Sequence, residues 1–434
     1  MKQPAMHYYS LEHNAPEVTF REAALRGIAP DRGLYFPKHF PAFPKTFWES
    51  VSRRDFFDVA FELMSPYTGD SLPEDTLRDI LKAALSFDFP LVWLSERMAV
   101  MELYHGPTMA FKDVGAGFMA GCLGYFSEAS DVKTTVLVAT SGDTGGAVAR
   151  GFLGVQGVEV VILYPEGMVS DIQERQLTTL GENIRALRVT GTFDDCQHMV
   201  KRAFLDPALK EKQHLTSANS INVARWLPQM LYYVKGFQQW GTEREAPVFS
   251  VPSGNFGNIC AGMLAAQMGL PVSHFVAATN VNDTVPRYME SKRYDPRPAV
   301  ATLSNAMDVA DPSNFVRIRE LFRDRFPALA SRFTALAYDD TQTLEAIKSL
   351  YQSYGYVADP HGAIGYLGLK QYLQSSPDQS GIFLETAHPI KFREAVEDCL
   401  GISLEVPGQI RDLLDRQKKF TPIRSYEELR ENLL

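Results

Sequence analysis

Two kinds of apolar pattern alternate along this chain. Residues 134–140 (TTVLVAT), 158–164 (VEVVILY) and 184–189 are short, nearly continuous apolar runs rich in β-branched side chains. Runs of that length predict strands buried on both faces, as in a parallel sheet. Between and after them, residues 146–154, 171–180 and 193–204 read as helices. Strands and helices in succession predict βαβ units. A longer helical stretch at 221–240 leads to a second series: a strand at 248–251, a turn at 253–258, a helix at 259–268 and a strand at 274–279. Two such series predict an α/β protein with two open, mostly parallel sheets facing each other, and a ligand crevice beyond the carboxyl ends of the strands. The first hundred residues differ. Pro and Gly punctuate 27–44, and helical patterns follow at 55–65 and 74–86, which predicts an extra N-terminal domain. The expected division is 1–97 for that domain, 98–130 with 235–400 for a large domain, 131–234 for a small α/β domain, and 401–434 for a charged helical cap.

Composition narrows the class. With 434 residues, 45% hydrophobic and 22% charged, the chain is long enough for several cores and is not disordered. It carries 43 basic and 52 acidic residues, a net charge of −9. That balance argues against nucleic acid as a partner but leaves a small anionic ligand open. Cys122, Cys196, Cys260 and Cys399 lie far apart with no C-x-x-C pair, so neither a metal site nor a disulfide framework is expected. The start of the chain lacks a signal-peptide core, and no apolar run reaches membrane-spanning length. A cytoplasmic protein without membrane contact is expected.

Three segments concentrate chemistry. Ser253-Gly-Asn-Phe-Gly-Asn258 follows a predicted strand and opens a predicted helix. Gly254 and Gly257 allow backbone N–H groups to approach an anion, and the helix terminus favours phosphate. A phosphate cradle and an ordinary tight βα turn both fit. No Lys-Ser/Thr follows, which excludes a Walker A loop. Thr140-Ser-Gly-Asp-Thr-Gly-Gly146 has hydroxyls and N–H groups suited to a carboxylate or phosphate. Alternatively, Ser141 or Asp143 caps the following helix. Its spacing is not G-x-G-x-x-G, which argues against a dinucleotide. In Tyr104-His-Gly-Pro-Thr-Met-Ala-Phe-Lys-Asp113, Lys112 has apolar neighbours in Ala110, Phe111, Val114 and Ala116. Most lysines are solvated, but an apolar setting lowers the pKa and makes the amine nucleophilic. A nucleophilic lysine with a phosphate cradle suggests a Schiff-base cofactor bearing a phosphate, for which pyridoxal phosphate is a candidate.

In order along the chain, SLEHNAPEVTFREAALRGIAPDRGLYFP (10–37), HGPTMAFKD, ATSGDTGGAVA, SANSINVARWLPQ, VPSGNFGN, AATNVNDTVPR, ATLSNAMDV, ADPHGAIGY and ETAHPIKF resemble the threonine synthase family. The family lies within the fold type II (tryptophan synthase β-like) pyridoxal-phosphate enzymes, and the resemblance covers nearly the whole chain. It implies that Lys112 carries the cofactor and that Gly254, Asn255, Phe256, Gly257 and Asn258 hold its phosphate. It also implies that Ser141, Gly142, Asp143 and Thr144 flank the ring and the substrate carboxylate, and that Thr386 faces the pyridine nitrogen. The implied reaction is γ-elimination of phosphate from O-phospho-L-homoserine and β-addition of water to give L-threonine, the last step of threonine biosynthesis. Lys112 would shuttle protons in it, in a monomer or homodimer.

Two positions depart from the wider class. Asp143 stands where many fold type II enzymes outside this family carry an Asn that donates to the cofactor's 3′-oxygen, and an ionised carboxylate cannot donate. Glu385 stands where a small residue is expected, either acting on ring protonation or pointing to solvent. Arg225, Arg287 and Lys391 are candidates for the substrate phosphate, with structural roles slightly favoured. His105, His361, His388, Asn222 and Asn305 lie in or beside the motifs, and structural hydrogen bonding is the plainer role for each histidine. A phospho-lyase releasing 2-oxobutanoate and ammonia, a silent metabolite binder on the same scaffold and, more remotely, a dehydrogenase are the competing functions.

Overall fold

The computed structural model describes residues 6–128 and 133–434. The boundary expected at 130/131 lies outside the described residues. In chain order the strands are β1 (Tyr8–Ser10), β2 (Tyr35–Pro37), β3 (Leu91–Trp93), β4 (Met98–Glu102), β5 (Thr134–Ala139), β6 (Val158–Pro165), β7 (Ile184–Val189), β8 (His214–Ser217), β9 (Val248–Pro252), β10 (His274–Thr279), β11 (Phe333–Ala337), β12 (Gly381–Glu385) and β13 (Thr421–Ile423). One sheet has the order β13-β7-β6-β5-β8 and is parallel throughout. The other has the order β11-β10-β9-β12-β4-β3 and is parallel except for its β3 edge. Strands β1 and β2 make a separate antiparallel ribbon.

The strands form where the sequence leaves no polar face. Every residue of β5, β9, β10 and β12 is buried, as a parallel sheet covered by helices requires. Helix starts are set by side-chain caps. Asp55 accepts from the N–H groups of Phe57 and Asp58 to begin Phe56–Thr68. Thr19 with Glu22, Ser170 with Gln173 and Thr192 with Asp195 form reciprocal caps. The helix Pro360–Ser375 lies close on the large sheet because it presents glycine once per turn. A Cβ on Gly362 would overlap the Glu385 carboxylate, and one on Gly368 would stand 2.7 Å from Ser250 Oγ.

Three expectations need correction. The stretch 221–240 is not one helix but Val223–Trp226, a 3₁₀ turn Leu227–Gln229 and Met230–Trp240. Pro228, which has no N–H to donate, sits in the break. The helix expected from residue 146 begins at Asp143. The segment after residue 400 is not purely helical, because β13 adds to the open edge of β7. Three residues are too few to show a period, and Pro422 is tolerated there because the strand is an edge. Ile423, Tyr426, Leu429 and Leu433 then fill one apolar cluster with Leu137, Val161, Leu187 and Val200. Among the described residues, no helix is long and apolar enough to cross a membrane.

Leu429 is fully buried in that cluster. Leu429→Ala should destabilise the protein by about 2–5 kcal/mol, read as a lower urea midpoint. An unchanged midpoint would mean the C-terminal segment is the detachable cap that its charge pattern suggests.

Candidate active site

The carboxyl ends of β4, β5, β9 and β12 lead into the loops that carry the chemistry. After β4 the chain turns through Tyr104–Phe111 and enters the helix Lys112–Glu128. Asp113 holds this turn, because its carboxylate accepts from the Thr108 N–H at 2.9 Å and from the Thr108 hydroxyl. The turn is stitched to the loop after β12: Phe111 N–H donates to the Thr386 carbonyl at 2.9 Å, and Ala110 bridges to Ala387. Arg225 donates from Nη1 to the Lys112 carbonyl at 2.9 Å. The Lys112 side chain is only 16% exposed, and its amine lies 5.4 Å from the Phe111 ring centroid. Burial brings the amine down to about 8. Asp143 opposes that shift, while Lys391 and Arg225 reinforce it.

After β5, Thr140 organises the second loop. Its hydroxyl oxygen accepts from the N–H groups of Gly142 at 2.9 Å and Gly145 at 2.8 Å. Thr140, not Ser141 or Asp143, therefore caps this helix. Gly142 has φ +132°, and a Cβ there would overlap the Gln173 amide, so glycine is needed twice over. Asp143 is freed for another task. Its Oδ1 lies 2.7 Å from Lys391 Nζ and accepts from Gln173 Nε2 at 3.0 Å, and its Oδ2 lies 3.9 Å from Lys112 Nζ. Burial alone would raise this acid, but Lys391 and then Lys112 hold it well below the usual carboxylate range. Lys391 is itself fully buried and also donates to the Thr108 carbonyl at 3.0 Å. Ser141 and Thr144 flank Asp143 half-buried.

After β9 comes the glycine loop and the helix Gly257–Gln267. Phe256 takes a left-handed conformation, φ 60°. A Cβ on Gly254 would stand 2.7 Å from Met307 Cα. The Asn255 side chain is spent on bracing: Oδ1 accepts from Ser313 N–H and Oγ at 2.6 and 2.7 Å, and Nδ2 donates to Ser220 Oγ at 3.0 Å. Asn258 accepts from Tyr233 OH at 2.5 Å, while its Nδ2 is buried without a partner among the described residues.

Thr386 follows β12 and is buried. Glu385 does not point to solvent. Its side chain is fully buried, and Oε1 accepts from the Asp359 N–H at 2.7 Å. Burial first, then Asp359, push its carboxyl well above its ordinary value. Of the other expected residues, His361 Nδ1 pairs with Asp359 at 3.1 Å and its Nε2 is buried without a partner among the described residues. His105 pairs with Glu102 at 2.7 Å. His388 is held down to about 4, chiefly by burial. Arg287 is engaged by Asp283 at 2.8 Å and Asp295 at 3.4 Å. Asn222 donates to the Ala24 carbonyl at 2.8 Å, and Asn305 Oδ1 is buried without a partner among the described residues. Sequence reasoning missed Gln173, Ser220, Asn314 and Asp359 as parts of the site. Their polar side chains carry no spacing signal; Ser220 and Asp359 at least fall within the ordered motifs, whereas Gln173 and Asn314 lie outside them.

A cofactor with an aldehyde and a phosphate suits this donor set. The amine is buried with its pKa brought down to about 8, the Asn258 amide donor is unpartnered among the described residues, a helix N-terminus closes the glycine loop, and the hydroxyl residue Thr386 is bonded through its carbonyl to the turn before the amine. The family model described as pyridoxal-phosphate dependent enzyme matches residues 94–383. Models of the threonine synthase N terminus and C-terminal region match 7–85 and 362–432. The threonine synthase of Escherichia coli (strain K12) is 43% identical over 413 residues, which are 94% of this chain and 95% of that protein. Its crystal structure superposes with a TM-score of 0.92 over 98% of this chain and 99% of that one. The PLP-bound threonine synthase of Brucella melitensis gives 0.92 at 35% identity, over 99% and 98%. Maize serine racemase, at 16% identity and a TM-score of 0.53 over 72% of this chain and 92% of that one, shares the fold alone. Matched from its N-terminal ribbon to its last helix, the chain belongs to the threonine synthase family of fold type II pyridoxal-phosphate enzymes.

Proposed function

We propose that the chain converts O-phospho-L-homoserine and water into L-threonine and inorganic phosphate, with Lys112 as both the covalent anchor of the cofactor and the proton carrier. The observation that carries this reading is the buried Lys112–Asp143–Lys391 group, which sets an amine near neutrality among fixed charges. When bound, pyridoxal phosphate supplies an electron sink for charge developing at the substrate carbons.

The residues divide the remaining work. Lys112 would hold the cofactor and, when its amine is free and neutral, would be the base that moves protons at the substrate carbons. Asp143 and Lys391 stay paired, so the charge around the amine changes little as it gains and loses protons. Gly254, Asn255, Phe256, Gly257 and Asn258 form the phosphate cradle, with Asn255 acting as a brace. Ser141, Gly142 and Thr144 offer N–H and hydroxyl groups for the substrate carboxylate. Thr386 would present a neutral hydroxyl to the ring nitrogen, and beside it burial with Asp359 pushes the Glu385 carboxyl up from its ordinary value. A neutral hydroxyl would not force the ring to hold a proton as a carboxylate would. The enzyme acts on a small molecule, and we place it in the cytoplasm as a monomer or homodimer, where its four unpaired thiols are at home.

Lys112→Ala should abolish the visible cofactor band and lower threonine formation by at least roughly 10²–10⁴-fold. The assay follows phosphate, threonine and keto acid together. Threonine equal to phosphate supports the reading, whereas 2-oxobutanoate as the main product would make the chain a phospho-lyase.

Capture of pyridoxal phosphate by the apo-enzyme needs the neutral amine. Its rate should therefore rise with pH through about 8 and level off above. Lys391→Met removes a cation that pushes the Lys112 proton off and leaves Asp143 to hold it, so the midpoint should move up. A midpoint unmoved in stopped-flow absorbance would disconnect Lys391 from the anchor lysine.

A further inference from the structure

Arg317 is a buried charge with no counter-charge among the described residues. It lies on the helix Phe315–Leu321 with no exposure. Its Nη1 donates to the Ser220 carbonyl at 2.9 Å and to Asn314 Oδ1 at 2.7 Å. Its Nη2 donates to the carbonyls of Tyr35 at 3.0 Å and Ile221 at 2.6 Å. Nε is buried without a partner among the described residues, and the guanidinium lies 4.5 Å from the Trp226 ring centroid. Every acceptor is neutral, and Arg317 forms no ion pair among the described residues. Cys260, the acidic group that acts on it, is a thiol pushed up to about 12 by burial and so uncharged at neutral pH. A guanidinium taken from water without a carboxylate is costly.

The groups it holds are those that brace the glycine loop. Asn314 Nδ2 donates to the Asn255 carbonyl at 3.1 Å and to Ser220 Oγ at 3.0 Å, and Ser220 Oγ also accepts from Asn255. A Cβ on Gly257 would stand 3.2 Å from Ser220 Cβ and 3.3 Å from Asn314 Nδ2. Arg317 therefore sits one residue behind the turn that opens the helix Gly257–Gln267. Its bond to Tyr35 ties the same centre to the β1–β2 ribbon. Only a planar fork reaches acceptors on three segments at once.

We propose that Arg317 is the resident counter-charge for the cofactor phosphate, a positioning residue that acts through Ser220 and Asn314 without touching the ligand. The phosphate of the cofactor would supply a negative charge at the same turn, so loading the cofactor offsets the cost of the buried cation. This rests on pyridoxal phosphate occupying the glycine loop and is independent of which product the enzyme releases.

Three variants separate charge from shape: Arg317→Met, Arg317→Gln and Arg317→Lys. Each apo-protein would be titrated with pyridoxal phosphate by equilibrium dialysis, and melting temperatures measured with and without the cofactor. The ³¹P resonance of the bound phosphate would report its surroundings. Arg317→Met and Arg317→Gln should weaken binding by roughly 10-fold or more and shrink the cofactor-induced rise in melting temperature. Arg317→Lys should keep most of the affinity while lowering stability with and without cofactor alike. A purely structural arginine would give the opposite: equal losses of melting temperature in apo and loaded protein, unchanged affinity and an unmoved ³¹P signal. That result, or a lysine variant binding no better than the glutamine one, would overturn the proposal. Should Arg317→Met not fold, the glutamine and lysine pair decides the point. A wild-type enzyme that binds the cofactor tightly but releases keto acid would sink the product assignment and leave this inference standing.

Discussion

Asp143 shares its buried carboxylate between Lys391 at 2.7 Å and Lys112 at 3.9 Å, and this arrangement ties the two halves of the crevice together. The loop after β5 brings the acid, the loop after β12 brings Lys391, and the helix after β4 brings Lys112. None of the three charges is stable alone in so enclosed a place. Lys391 can be fully buried because Asp143 is ionised, and Asp143 stays ionised because two ammonium groups outweigh its desolvation. Burial first, reinforced by Lys391 and Arg225, loosens the hold of the Lys112 amine on its proton, and Asp143 at 3.9 Å opposes this only in part. A reactive amine is the outcome of that competition.

Lys112, Lys391, Arg225 and Arg317 are enclosed around the site even though the chain carries −9 overall. Asp143 answers two of them as an ionised acid, while burial raises Asp113 to about 6 and pushes the Glu385 carboxyl up. A phosphate-bearing cofactor with a phosphate-bearing substrate is the kind of load such a field favours. Surface charge and site charge answer to different demands, which is why the acidic composition did not exclude an anionic ligand.

The backbone supports this field by close approach. Gly142 accepts a conformation and a contact with Gln173 that a side chain would forbid, and Gly254 lies hard against Met307. The carbonyl of Thr386 and the N–H of Phe111 lock the lysine turn to the end of β12. Short bonds between loops, rather than the sheets themselves, hold the reacting groups in register.

Much of this was legible in the sequence, for reasons that are local. Buried parallel strands need uninterrupted apolar runs, so 134–140 and 158–164 announced themselves; a tight strand-to-helix turn needs glycine, so Gly254, Gly257 and Gly142 marked the loops; and the apolar setting of Lys112 marked it as unusual. The ordered motifs identified the family. What the tertiary structure decided was every property that depends on a partner distant in the chain. Lys391 meets Asp143 across 248 positions, Asp359 meets Glu385 across a helix and a strand, and Arg317 reaches Tyr35, Ser220 and Ile221 at once. Thr421–Ile423 becomes a strand only because β7 offers an open edge. Local pattern fixes which residues are apolar, flexible or charged, but the pKa of a buried group and the pairing of an edge are set by what folding brings beside them.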